Sequence, residues 1–252
     1  MTKTTLKNVA AFSEHPWPEH LLAQFTKFQI PVNLPNAKWD FLIGYHPEEG
    51  VSLTDREKRV LKINFDTDPA YHRQKVFKKD PLIKALGVSQ GRHRVWDLTA
   101  GLGRDALMMA HYGLQVTSFE RNPALFLLLQ EAARSSEECK SLKLRFDFQD
   151  AETVLTQLPQ PFPENGVIYF DPMFPTKKKS ALPPQEMVIL RELTGADEDA
   201  EEIIEKIHHI PGARAVIKRP DSAPQLKGVS HSIMAKLVRF DVIIVPPVTA
   251  LR

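Results

Sequence analysis

The sequence predicts an α/β fold: a mostly parallel seven-stranded sheet with helices on both faces, preceded by a small N-terminal α/β subdomain. Three observations predict it. From Arg94 onward short apolar runs alternate with helical segments, the rhythm of a parallel sheet covered on both faces. Acids or glycine-bearing turns follow those runs, where open sheets of this kind bind their ligands. Before about residue 90 the chain has a different character, rich in proline, aromatics and mixed charge. The expected boundaries are 1–70 for the subdomain and 71–252 for the main domain.

In the first part, Phe41 to Asp55 reads FLIGYHPEEGVSLTD, two short runs around turn residues, and predicts a hairpin. Arg59 to Phe65 predicts a third strand. The stretch PAYHRQKVFKKDPLIKALG predicts a helix broken at Pro81 and ending at Gly87. VWDLT is then the first strand of the main sheet, and ALMMAHYG a helix stopping at Gly113. QVTSFE is a strand. NPALFLLLQEAARSSEE is a strong helix, with Asn122 as its cap and Pro123 in its first turn. LKLRFDF, GVIYFD and GARAVIKR are strands; AETVLTQL, PQEMVILRELTG and DEDAEEIIEKIHHI are helices; HSIMAKLVRFDVIIV closes the sheet as a pair of strands.

The bulk numbers narrow the function classes. The chain has 252 residues, 42% hydrophobic and 25% charged, an ordinary globular composition. A net charge of +2 predicts no nucleic-acid partner by itself, so any basic surface must be local. The one cysteine, Cys139, excludes an internal disulfide and a cysteine-based zinc cluster, and fits a reducing compartment. The N-terminus lacks the pattern of a signal peptide, and no apolar run reaches about 18 residues. The expected location is the cytoplasm, with no membrane association.

Asp97 to Asp105 reads DLTAGLGRD. Gly101-x-Gly103-x-x-Ala106 fits a generic dinucleotide loop, but in a dehydrogenase the first glycine follows the strand almost at once. Here an acid, Asp97, ends the strand four residues before Gly101. That spacing resembles Rossmann-like class I S-adenosylmethionine-dependent methyltransferases. The glycines would let the backbone lie close to the cofactor, and Asp97 would help hold its ammonium end, directly or through water. Glu120 ends the second strand, where an acid accepts hydrogen bonds from ribose hydroxyls. Arg121 would pack near the adenine, and Asp150 follows the third strand, where such enzymes often place an acid near the adenine amine.

GVIYFDPMFP places Asp171-Pro172-Met173-Phe174 at the end of the fourth strand. This resembles the Asp/Asn-Pro-Pro-aromatic tetrapeptide of exocyclic-amine methyltransferases. Such an amine is a poor nucleophile because its lone pair is delocalised into the ring. Asp171 and a backbone carbonyl supplied at Pro172 would accept its two N–H bonds, the first of them charge-assisted. Phe174 would stack the base. Carbon methylation at C5 of a pyrimidine needs a cysteine nucleophile, and Cys139 lies away from the strand ends. On the substrate side, Lys177, Lys178 and Lys179 follow the tetrapeptide, Lys218 and Arg219 end the fifth strand, and Arg73, Lys75, Lys78 and Lys79 precede the sheet. They predict a basic rim for RNA. His72, His208 and His209 show no metal-ligand spacing, so no metal is expected. These motifs leave guanine and adenine as alternative targets. A nicotinamide-dependent oxidoreductase and a non-catalytic RNA-binding protein are the rivals from other classes.

DLTAGLGRDA, FERNP, YFDPMFPTKKKSAL and VIKRPDSAP together resemble the ribosomal RNA small subunit methyltransferase J family, from about Ala70 to the C-terminus. The resemblance implies N2 methylation of a guanosine in 16S ribosomal RNA, position 1516 in reference numbering. It implies S-adenosyl-L-methionine as cofactor, S-adenosyl-L-homocysteine as product and the small ribosomal subunit as partner, with no obligate protein partner evident. It implies cofactor contacts at Arg104, Asp105, Glu120, Arg121, Asp150, Ala151 and Asp171, although this chain has Asp150-Ala151 where the family pattern has Ser-Ser. The N-terminal 35 residues match that pattern poorly.

Overall fold

The computed structural model describes residues 8–33, 38–67, 80–173 and 184–247, which fall into two units. The first comprises Met1–Asp68, Asn122–Lys140 and Met173–Asp197; the second comprises Pro69–Arg121, Ser141–Pro172 and Glu198–Arg252. The first unit therefore takes in two later segments as well as the N-terminal one.

The first unit holds a sheet in the order β1-β2-β3-β4, with β1 Val9–Ala11, β2 Phe41–His46, β3 Gly50–Asp55 and β4 Val60–Leu61. β1 and β2 run parallel; β2 and β3 form the hairpin expected between Phe41 and Asp55, closed at His46 and Gly50. The third strand is shorter than the sequence predicts. After Leu61 the chain leaves the ladder, and Asn64 Oδ1 accepts from Asp66 N and Thr67 N, which turns it away. Helix Pro123–Ser135 packs on β3, capped as expected by Asn122, which accepts from Ala124 N and Leu125 N. The long helix read through Glu138 is interrupted at Ser136, which has extended backbone. Its hydroxyl donates to Asp66 Oδ1 at 2.5 Å and accepts from Cys139 N at 3.0 Å. Cys139 itself is buried in the short helix Glu137–Ser141, and burial pushes its thiol pKa up.

The second unit holds the main sheet: β5 Arg94–Asp97, β6 Gln115–Glu120, β7 Leu144–Phe148, β8 Gly166–Phe170, β9 Arg214–Pro220, β10 His231–Met234 and β11 Val238–Ile244. Among the described residues the order is β10-β11-β9-β8-β5-β6-β7. β5 to β9 are mutually parallel, and β11 and β10 return antiparallel. The predicted α/β, Rossmann-like sheet is thus present. Its central strands read as continuous apolar runs because they are buried; Val167 to Phe170 and Ala215 to Ile217 are all at most 1% exposed. Helix Arg104–His111 lies against β6 and β7. Helix Pro81–Leu86 lies against β9, β10 and β11. It is capped by Asp80, which accepts from Leu82 N, and ends at left-handed Gly87. The rest of the predicted helix before Asp80 lies outside the described residues. The strand order reverses between β5 and β8, and ligands of open α/β sheets bind outside the carboxyl ends at such a reversal.

Candidate active site

At that reversal β5 ends in Asp97, which is 1% exposed. Its carboxylate is turned into the protein. Oδ2 accepts from Ser118 Oγ at 2.6 Å and Oδ1 from Thr99 N at 3.0 Å. Burial pushes its pKa up to about 7, against the pull of those two hydrogen bonds; the Asp105 and Asp171 charges add to the rise. The loop beyond Asp97 is tied to both neighbouring strands. Leu98 N donates to Tyr169 O and Ala100 N to Phe119 O. Gly101 (φ 54°) and Gly103 (φ 77°) take the left-handed conformation, and Gly103 leads directly into helix Arg104–His111. A Cβ at Gly101 would meet nothing within 4 Å, so the loop presents bare backbone to open space there.

β8 ends beside this loop. Asp171 N donates to Thr99 Oγ1 at 2.7 Å, which fastens the start of the Asp-Pro turn to the glycine loop. Asp171 Oδ2 accepts from Lys218 Nζ at 2.9 Å, and the same ammonium donates to Asp105 Oδ2 at 2.7 Å. Tyr169, fully buried, donates its hydroxyl to that Asp105 oxygen at 2.5 Å. The register explains the meeting. Phe170 pairs with Ile217 across β8 and β9, so the next residue of each strand, Asp171 and Lys218, stand side by side. Burial works to raise the Asp105 pKa, but Lys218, Tyr169 and Arg104 outweigh it and hold the carboxyl below its usual range. Burial likewise works against the Lys218 charge, and the two carboxylates reverse it, raising its pKa. Burial, with the Asp105 charge behind it, raises the Tyr169 hydroxyl well above its ordinary value, so it stays a donor.

The other strand ends differ. Glu120 closes β6 and is 7% exposed. Arg121 pairs with Asp199 at 2.7 Å. Asp150 caps helix Ala151–Thr156, accepting from Thr153 N at 2.8 Å and Thr153 Oγ1 at 2.7 Å. Burial works against its ionisation, yet those bonds and the Arg121 charge keep its pKa low.

Residues 26–245 match a family model described as "Putative SAM-dependent methyltransferase". A ribosomal RNA small subunit methyltransferase J of Bdellovibrio bacteriovorus is 39% identical over 226 residues, 88% of each chain. One of Coxiella burnetii is 38% identical over 227 residues, 86% of this chain and 88% of its own. The chain belongs to the ribosomal RNA small subunit methyltransferase J family. A SAM-dependent methyltransferase of Neisseria gonorrhoeae has the same fold, with a TM-score of 0.68 and 25% identity over 96% of this chain and 97% of that one.

As a methyltransferase J family member the protein is an S-adenosylmethionine-dependent enzyme. The residues present fit that cofactor. The bare face of Gly101 leaves room for a ligand against the backbone, and the loop sits at the strand reversal. Asp97, Gly101, Gly103, Arg104, Asp105, Tyr169, Asp171 and Lys218 come together at the ends of β5, β8 and β9. The expectation of a basic rim at the end of β9 needs correction. Lys218 does not stand on a basic rim; it is turned inward between two acids, with 24% of its side chain exposed. Arg219 is 8% exposed, donates to Pro224 O and faces buried Asp241 at 3.8 Å. The Asp97 carboxylate, expected to help hold the ammonium end of the cofactor directly or through water, accepts from Ser118 Oγ and Thr99 N. Phe174, Arg73, Lys177, Lys178 and Lys179 lie outside the described residues. Sequence reasoning missed Thr99, Ser118 and Tyr169. Tyr169 carried a signal, a lone hydroxyl in the apolar run before Asp171; Thr99 and Ser118 carried none.

Proposed function

We propose that the protein methylates the exocyclic N2 amine of a guanosine in 16S ribosomal RNA, in the cytoplasm, with the assembled small subunit as substrate. One observation carries the reading: Asp171 is fastened to the glycine loop through Thr99 at 2.7 Å, so an amine acceptor and a cofactor loop share one site. S-adenosylmethionine, when bound, supplies an electrophilic methyl group. The chain's own residues supply position. Asp171 accepts one amine N–H and the carbonyl of Pro172 the other, which aims the nitrogen lone pair; most of the rate gain is orientation of this kind. Phe174 stacks the base. Gly101 and Gly103 let the cofactor lie on the backbone, with Glu120 on the ribose hydroxyls and Arg121, Asp150 and Ala151 around the adenine. Asp97 shapes the loop from below. Arg73 and Lys177 to Lys179 hold RNA phosphates. Membership in the methyltransferase J family favours guanine over adenine.

The test is incubation with methyl-labelled S-adenosylmethionine and small subunits from cells lacking the modification, then nucleoside analysis. Label in N2-methylguanosine is expected. Label in N6-methyladenosine would keep the amine chemistry and overturn the base. Equal labelling of naked RNA would remove the assembled subunit as a requirement.

A further inference from the structure

Lys218 is the one residue here whose position departs from its sequence reading in a way that touches the reacting group. Three parts of the second unit meet at its ammonium. Asp105 comes from the first turn after the glycine loop, Asp171 from the end of β8, and Lys218 itself from β9. It bonds Asp105 Oδ2 at 2.7 Å and Asp171 Oδ2 at 2.9 Å. Tyr169 backs Asp105 from beneath, and Arg104 and Asp97 add further charges around the pair. From β11, the residue in register with Lys218 is Phe240, which carries no charge. Asp171 nonetheless keeps 36% of its side chain open to solvent. One of its oxygens is thus held from inside while the group still faces outward.

A partly exposed ion pair of this kind would stabilise the fold little. Its geometry does something more specific. A carboxylate with a free rotamer would accept an amine in many directions, and a protonated one would offer a donor where an acceptor is needed. An ammonium within hydrogen-bonding distance opposes both. We propose that Lys218 is a positioning residue for methyl transfer: it fixes the rotamer of Asp171 and keeps that carboxylate an acceptor. The proposal rests on the reading above that Asp171 receives the substrate amine.

Two measurements on Lys218→Met test it. The first needs no substrate: carbon-13 titration of the Asp171 and Asp105 carboxyls. Both midpoints should move up by about one pH unit, because the cation favouring their ionised forms is gone. The second is single-turnover transfer to small subunits against pH. The rate should fall on the order of 10²-fold with little change in KM, and its acidic limb should move to higher pH. Lys218→Arg should restore the acidic limb while recovering only part of the rate. If Lys218→Met does not fold, Lys218→Gln serves both measurements with the same expected shifts. Unmoved carboxyl midpoints would overturn the proposal, as would a wild-type acidic limb in the neutral variant. Absence of transfer by the wild-type protein would instead count against the proposed function, and the carboxyl titration would still decide the role of Lys218.

Discussion

Two acids a few residues apart, Asp97 and Asp105, end with pKa values shifted in opposite directions: Asp97 is buried, while Asp105 keeps 28% of its side chain exposed. Loss of solvent works to raise both. Among the described residues the donors to Asp97 are neutral, Ser118 Oγ and Thr99 N, and its pKa rises to about 7. Asp105 has Lys218 and Tyr169, and its pKa falls below the usual range. A cationic partner, and not depth alone, sets the charge state. Asp97 belongs to the framework of the loop. Asp105 stays ionised and belongs to the cluster that includes Asp171.

The widest break in this comparison should come from Asp171→Ala. It removes the outward-facing acid and should lower the transfer rate on the order of 10²-fold or more. S-adenosylhomocysteine binding, read by calorimetry, should persist. Near-normal turnover would end the amine-acceptor role.

Asp97→Asn sharpens the contrast on the stability side. A raised folded pKa means that ionising Asp97 costs the folded state more than the unfolded one. That stability is fully present below the unfolded value, about 3.9, and is lost as pH rises through about 7. The melting temperature of Asp97→Asn relative to wild type should therefore climb between about pH 4 and 7 and then level. A pH-independent difference would mean that Asp97 does not titrate there.

Lys177→Ala with Lys178→Ala asks whether the cations that follow the Asp-Pro tetrapeptide in sequence differ from Lys218 in kind. RNA affinity should weaken, and the slope of log affinity against log salt should flatten by about one unit for each phosphate no longer neutralised. An unchanged slope would return both lysines to a solvated face. Asp150→Ala should have the smallest effect. Losing the cap on Ala151–Thr156 should cost about 1 kcal/mol in urea titration.

The parallel sheet was plain in the sequence because its strands are covered on both faces and so read as unbroken apolar runs, as in GVIYF. The hairpin from Phe41 to Asp55 was plain because alternation and turn residues are local signals. Membership of 122–140 and 173–197 in the first unit was not, since linear patterning is silent about distant partners. At the site, the acids at strand ends were legible, because a charge after an apolar run is conspicuous. The inward turn of Lys218 was missed because it depends on the β8–β9 register, which pairs Phe170 with Ile217. Asp97 looked available for a ligand because nothing marks Ser118, an ordinary strand serine, as its partner.

Cys139 has a practical consequence. It is the single thiol of the chain, it is shut away from solvent, and burial holds it in its unreactive protonated form. The natural sequence is therefore already a background for site-selective labelling. A cysteine introduced at exposed Lys236, in the turn between β10 and β11, should take a maleimide fluorophore in native buffer while Cys139 stays unmodified. One substitution would then give a probe for following RNA encounters by fluorescence.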